Sequence, residues 1–180
     1  EAIAERAPGQ VWSQLYAAMD PAITRSLVER AAAFGAGALL WTVDLNIAAK
    51  NDRLIRAGFG VPPRLSLGAK LEALRHPGWM LEYLRGGMAS LDQWAQYAPA
   101  GADPLEVHRF YLSQRNSCQS WRELELLRKL WKGPLIVKGI LHADDAVRAA
   151  ELGADGVVVS NHGGFGLDHG PAPIDMLPGV

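Results

Sequence analysis

The sequence predicts an α/β fold built on a parallel sheet, and three observations carry that reading. Four short runs, 11–16 (VWSQLY), 38–44 (ALLWTVD), 134–139 (PLIVKG) and 156–161 (GVVVSN), are apolar on both faces, as strands covered on both sides are. Helical stretches separate them, long enough to serve as crossovers between parallel strands. The spacing is regular: Tyr16 to Asp44 is 28 positions and Lys138 to Ser160 is 22, near the ~30 residues of one strand–helix unit.

Each helix is marked by local chemistry. The first has Asp20 as N-cap, Pro21 at its first position, an apolar stripe of Ile23, Leu27, Ala31 and Phe34, and a stop at Gly35. Ser120 and Glu123 form a capping box for a second helix carrying Trp121, Leu124, Leu127 and Trp131. A third runs over 143–152 and stops at Gly153. Thr42 to Lys138 is 96 positions, which leaves room for roughly 65 extra residues, and the insertion segment is assigned to 60–105 within that gap. That segment holds Pro62-Pro63, Gly86-Gly87 and a Pro/Gly/Ala-rich stretch near 98–104. Its Trp79, Met80, Leu84 and Met88 lie beside Lys70, Arg75 and Arg85, a mixture that suits either a helical flap or a bilayer interface.

Composition excludes several classes. Eighteen Lys and Arg against nineteen Asp and Glu give a net charge of −1, so there is no basic excess to attract nucleic acid. Apolar content of 49% and charged content of 21% exclude a mainly disordered chain. One cysteine, Cys118, excludes an intrachain disulfide and a cysteine-cluster metal site. No run of 18 apolar residues and no signal-peptide pattern occurs, so a cytoplasmic location is expected, with peripheral contact at the inner face of the membrane as the variant. The chain begins at Glu1 and ends at Val180 in a loop-like stretch, and is expected to be a fragment.

The informative residues stand at the strand ends. The first run ends in Gln14 and Tyr16, the second in Thr42 and Asp44, the third in Lys138, and the fourth in Ser160, Asn161 and His162. Ligands of parallel α/β folds bind at the carboxyl ends of the strands. Each residue also has a bland role. Lys138 can snorkel, Asp44 can cap a turn, and Gln14 and Tyr16 can fill an ordinary interior. His162 stands in SNHGG, whose paired glycines allow a backbone to approach a ligand closely. His162, Asp168 and His169 share no spacing that aims them together, so no metal site is expected.

VVVSNHGG followed by LD and PAPIDMLP resembles the signature of the FMN-dependent α-hydroxy acid dehydrogenases and oxidases, the family of glycolate oxidase, flavin-type lactate dehydrogenase and mandelate dehydrogenase. QLY at 14–16, TVD at 42–44, PLIVKG at 134–139 and GADGVVVSNHGG at 153–164 resemble the family's successive strands in order. RHPGWMLEYLRGGM at 75–88 and WRELELLRKLW at 121–131 are similar to the mandelate dehydrogenase branch. The resemblance implies a partial (β/α)8 TIM barrel over residues 1–180, made of family strands three to six with the insertion after the fourth. It implies that the earlier and later strands and the phosphate-binding loops lie outside this chain.

The same resemblance implies FMN as cofactor, with Lys138 at the flavin N1/O2 edge and Gln14, Thr42 and Ser160 as flavin contacts. It implies His162 as the base, Asp44 as the group that orients it, and Tyr16 as the phenol facing the substrate. The substrate would be a small hydroxy acid-like molecule, the electron acceptor oxygen, a quinone or a cytochrome, and the whole protein a homo-oligomer. Two positions depart from the family pattern: Asn51 and Phe165 stand where arginines clamp the substrate carboxylate. Flavin residues kept beside an altered clamp imply an oxidoreductase for an uncharged or bulkier substrate, or a decayed copy. A barrel lyase using Lys138 as a Schiff base stays open as an alternative.

Overall fold

A computed structural model describes residues 2–45, 52–56, 58, 66–87, 90–117, 119–167 and 169–180. Its strands are β1 (Trp12–Leu15), β2 (Ala38–Thr42), β3 (Leu135–Ile140) and β4 (Gly156–Val159). Its helices are α1 (Ala2–Arg6), α2 (Pro21–Ala33), α3 (Asp52–Arg56), α4 (Leu67–Leu74), α5 (Pro77–Gly86), α6 (Asp92–Ala95), α7 (Pro104–Ser113), α8 (Trp121–Leu130), α9 (Ala143–Glu151) and α10 (Pro173–Met176). The chain divides into two compact units, one of residues 1–49 with 115–180 and one of 50–114.

The first unit is a four-stranded parallel sheet in the order β1-β2-β3-β4. Sequential order is the arrangement of a β/α-barrel wall, whereas a doubly wound sheet reverses direction at a switch point. Leu39, Trp41, Leu135 and Val137 pack with Val28 and Ala31 of α2 and with Leu124 and Leu127 of α8 in one apolar core. Along β3, Leu135 and Val137 are buried on that face, and Ile136 and Lys138 alternate to the other.

Local chemistry sets the helices. Asp20 accepts from the Ala22 amide at 2.8 Å, with Pro21 opening α2. Ser120 and Glu123 close the capping box of α8. Of the α2 stripe, Ile23 and Ala31 are buried and Leu27 and Phe34 are packed at the core edge. Val28 and Thr24 share the buried face, and Thr24 Oγ1 accepts from the Ala18 amide at 2.9 Å.

Three of the strands, β1, β2 and β4, stop short of the C-terminal ends of their apolar runs. Tyr16, Asp44, Ser160 and Asn161 lie past the ladder. β3 extends one residue further, to Ile140, because Gly139 forms an irregularity against β4. Its φ of +117° favours glycine, and a Cβ there would lie 2.7 Å from the Asp44 Cβ.

The second unit contains α3 to α7. Helix α7 carries a second capping box, Asp103 with Glu106. Trp94 is buried against the edges of Tyr97 and Tyr111, with ring centroids 5.9 and 5.0 Å away. α4 and α5 bury none of their described side chains.

Candidate active site

The residues at and just past the C-terminal ends of the strands make two joined clusters. In the first, Gln14 Nε2 donates to Thr42 Oγ1 at 2.9 Å and to the Tyr16 hydroxyl at 3.0 Å. Thr42 is fully buried and pairs in register with Lys138 across β2 and β3, which carries the row into the second cluster.

The second cluster is centred on Asp44, whose side chain is only 5% exposed. Lys138 Nζ donates to Asp44 Oδ2 at 2.8 Å, and Ser160 Oγ donates to the same oxygen at 2.7 Å. His162 Nδ1 lies 2.8 Å from Asp44 Oδ1 and 3.1 Å from Lys138 Nζ. Burial pushes the Asp44 carboxyl up, but hydrogen bonds from Lys138, His162 and Ser160 and the Lys138 charge outweigh it and hold the carboxyl below its ordinary value. Asp44 is therefore a carboxylate at neutral pH. An imidazole nitrogen 2.8 Å from a carboxylate oxygen must carry the shared proton, because two lone pairs would repel at that distance. The proton thus sits on Nδ1, and the basic lone pair of a neutral ring sits on Nε2.

The loop after β4 holds His162 in place. Its backbone takes the left-handed conformation, with φ 55°, followed by Gly163 and Gly164 at 66° and 72°. Asn161 pins this turn on both sides: Oδ1 accepts from the Gly164 amide at 3.1 Å, and Nδ2 donates to the Pro171 carbonyl at 3.0 Å. Ser160 Oγ also accepts from the His162 amide at 3.1 Å, so one hydroxyl ties His162 to the Asp44 carboxylate.

Seven expected residues therefore stand together: Gln14, Tyr16, Thr42, Asp44, Lys138, Ser160 and His162. Phe165 is half exposed, its ring 6.5 Å from that of His162. Asn51 and Asp168 lie outside the described residues. The sequence reading missed the direct Lys138–Asp44 ion pair and the engagement of Ser160 with Asp44 rather than with a ligand alone. Among the described residues no three His, Cys, Asp or Glu side chains gather as a metal site.

A carboxylate, an imidazole and an ammonium stand together at the carboxyl ends of parallel strands, beside a carboxamide and a hydroxyl, an arrangement whose chemistry suits proton transfer. The family model described as FMN-dependent dehydrogenase matches residues 1–180, and the chain belongs to that family. L-lactate dehydrogenase of Alcaligenes faecalis is 36% identical over the whole chain and 48% of its own length. (S)-Mandelate dehydrogenase of Pseudomonas putida is 34% identical over 98% of the chain and 44% of its own length. A crystal structure of (S)-mandelate dehydrogenase, described as a monotopic membrane protein, superposes with a TM-score of 0.86 at 34% identity, over 97% of this chain and 46% of that one. The chain spans less than half the length of these relatives, and its four strands form part of the barrel.

Proposed function

We propose that this chain supplies the catalytic wall of an FMN-dependent oxidoreductase that converts the CH–OH group of an α-hydroxy acid-like substrate to a keto group. The observation that carries this reading is Asp44, a buried carboxylate shared by the His162 imidazole and the Lys138 ammonium.

The residues present fit the cofactor that the family description names. Gln14, Thr42 and Lys138 offer a carboxamide, a hydroxyl and a cation on three neighbouring strands, the donors and acceptors a flavin ring edge requires. When bound, FMN supplies the two-electron acceptor. His162 takes a proton from the substrate at Nε2, and Asp44 stabilises the imidazolium that results. Lys138 places positive charge where negative charge gathers. Tyr16 faces the substrate hydroxyl or carboxylate. The ion pair with Asp44 favours this role for Lys138 over a Schiff-base role, which needs a lysine in an apolar pocket.

The substrate clamp is altered. Phe165 cannot pair with a carboxylate, but its half-exposed ring near His162 can pack on an apolar or aromatic substituent. Anaerobic flavin reduction by a panel of 2-hydroxy acids tests this. Lactate and glycolate should reduce the flavin poorly. Each charge-assisted bond contributes ~1.5–3 kcal/mol, so Asn51→Arg with Phe165→Arg should raise their kcat/KM by roughly two to four orders of magnitude. Rapid bleaching by lactate in the unmodified protein would overturn the altered clamp.

Peripheral membrane contact belongs to the same proposal. Leu67, Leu71 and Leu74 form an exposed stripe on α4. On α5, Trp79 stacks on Tyr83 at 5.5 Å and Leu84 is exposed. No helix among the described residues is long and apolar enough to cross a bilayer. Such faces suit the headgroup boundary. Flotation with anionic liposomes should carry the protein upward, and no binding at low salt would end this part of the reading.

A further inference from the structure

Asn161 stands between Ser160 and His162, and its carboxamide is used at both ends. Oδ1 accepts from the Gly164 amide, and Nδ2 donates to the Pro171 carbonyl, ten residues along the chain. The reverse setting of the group would face oxygen to carbonyl oxygen and nitrogen to amide, so both bonds exist in one orientation only. The two partners differ in stiffness. Gly164 belongs to the turn itself, whose residues 162–164 all have positive φ. A histidine in that region is uncommon, and such backbone persists only where its surroundings over-determine it. Pro171 has a fixed φ, and just beyond it Pro173 opens α10, which lies beside β4. The carboxamide thus ties a permissive turn to a stiff post on the sheet.

The His162 ring depends on that tie. Its side chain is 26% exposed, and among the described residues its hydrogen-bonding contacts all run from Nδ1, to Asp44 at 2.8 Å and Lys138 at 3.1 Å. A small swing of the backbone at residue 162 therefore carries the ring off the carboxylate. Gly163 and Gly164 take positive φ without strain, but they take other conformations as readily, so HGG alone does not select this turn. Ser160 Oγ fixes the His162 amide, which lies on the near side of the turn. Asn161 fixes the far side. We propose, resting on the reading of His162 as the base, that Asn161 is its positioning residue: by bridging the Gly164 amide and the Pro171 carbonyl it holds the left-handed turn that presents Nδ1 to Asp44. Asn161 touches neither reacting atom and acts through the imidazole. Its effect is to keep the proton on Nδ1 and the lone pair on Nε2.

The test reads the tautomer directly, from the ring 15N resonances of the full chain labelled at histidine, with His162→Asn to assign them. At alkaline pH the unmodified protein should show a protonated Nδ1 and a bare Nε2 at His162. In Asn161→Ala the ring, released from Asp44, should divide its proton between the two nitrogens. With FMN bound, the same variant should reduce flavin roughly ten to a hundredfold more slowly with KM little changed, as misplacement of a reacting group does. Asn161→Asp keeps the acceptor for Gly164 but turns an oxygen on the Pro171 carbonyl. It should show both effects in smaller degree, and it decides the matter if Asn161→Ala does not fold. An unchanged Nδ1–H tautomer in these variants would overturn the role, and so would a rate that falls only in step with the urea midpoint. A protein whose flavin no hydroxy acid reduces would sink the oxidoreductase reading instead. The tautomer measurement needs neither flavin nor substrate and would still decide for or against Asn161.

Discussion

At the N-terminal end of β3 and β4, Arg128 lies 2.9 Å from Asp155; at the C-terminal end of the same strands, Lys138 lies 2.8 Å from Asp44. Both pairs join a cation to a carboxylate, but their other partners differ in kind. The Arg128 guanidinium also donates to the carbonyls of Trp131, Gly133 and Gly153, and Asp155 also accepts from the Leu135 amide at 2.8 Å. That cluster is anchored in backbone, and its cation is permanently charged. The backbone bond from Leu135 and then Arg128 hold the Asp155 carboxyl below its ordinary range, against its own desolvation. Around Asp44 the bonding partners are side chains, and three of the four groups titrate. A cluster tied to the main chain can only brace. One whose members mainly hold each other can pass a proton or yield a bond to a ligand without disturbing the sheet.

Removing one group at a time tells the two ends of the strands apart. The largest effect is expected at His162: His162→Asn should slow flavin reduction by about 10²–10⁴-fold, the usual contribution of a positioned base, with little change in the denaturation midpoint. Stopped-flow reduction and urea unfolding read the two separately. A variant that unfolds in proportion to its lost rate would make the upper cluster a brace as well.

Arg128→Ala should do the reverse. It removes one ion pair and three bonds to carbonyls, and should destabilise by about 2–4 kcal/mol in denaturant unfolding. The pH dependence of the catalysed step should be unchanged under conditions where the variant stays folded.

Acid provides the third test. The Asp44 carboxyl is lowered relative to its ordinary value of 3.8. Its contribution to stability is therefore complete above that value and is lost as pH falls through the lower folded-state value. Stability measured from pH 6 downward should drop below about pH 4, and Asp44→Asn should flatten part of that drop. Asp155 titrates in the same direction, so Asp44→Asn in an Arg128→Ala background separates the two ends.

Ser160→Ala is the mildest change. Losing one bond to the carboxylate and one from the His162 amide should cost about 1 kcal/mol in unfolding. It should also shift the acid limb of the pH–rate profile, which a merely structural serine would leave in place.

Much of this was legible in the sequence where the signal is local. The caps at Asp20 and Ser120 involve neighbours two or three residues away, and the strand runs announce themselves by apolar composition. The candidate site residues were legible by their position at the ends of those runs and by the SNHGG motif. What joins them was not. Asp44 meets Lys138 across 94 residues and Ser160 across 116, and no pattern along the chain encodes such a pairing. Arg128 carries no such signal along the chain, because most of its bonds go to carbonyls, which every residue has. The irregularity at Gly139 did carry a signal, a glycine inside a strand pattern, that composition alone leaves unassigned. The capping box at Asp103 and Glu106 was hidden beside a stretch rich in proline, glycine and alanine.

The long excursion between β2 and β3 has a thermodynamic consequence. Thr42 and Lys138 are register partners on adjacent strands, although the connection from Thr42 to Leu135 is roughly four times as long as that from Leu15 to Ala38. Loop-closure entropy grows only with the logarithm of length, about 0.6 kcal/mol per doubling, so this excursion adds about 1.2 kcal/mol to the cost of bringing β2 and β3 together. Fully burying a single leucine returns about 1.5–3 kcal/mol, and Leu39 and Leu135 are both fully buried where the two strands meet. The sheet thus tolerates a passenger of almost any length at this joint. Selection on that segment is free to follow what it touches rather than how the strands pair.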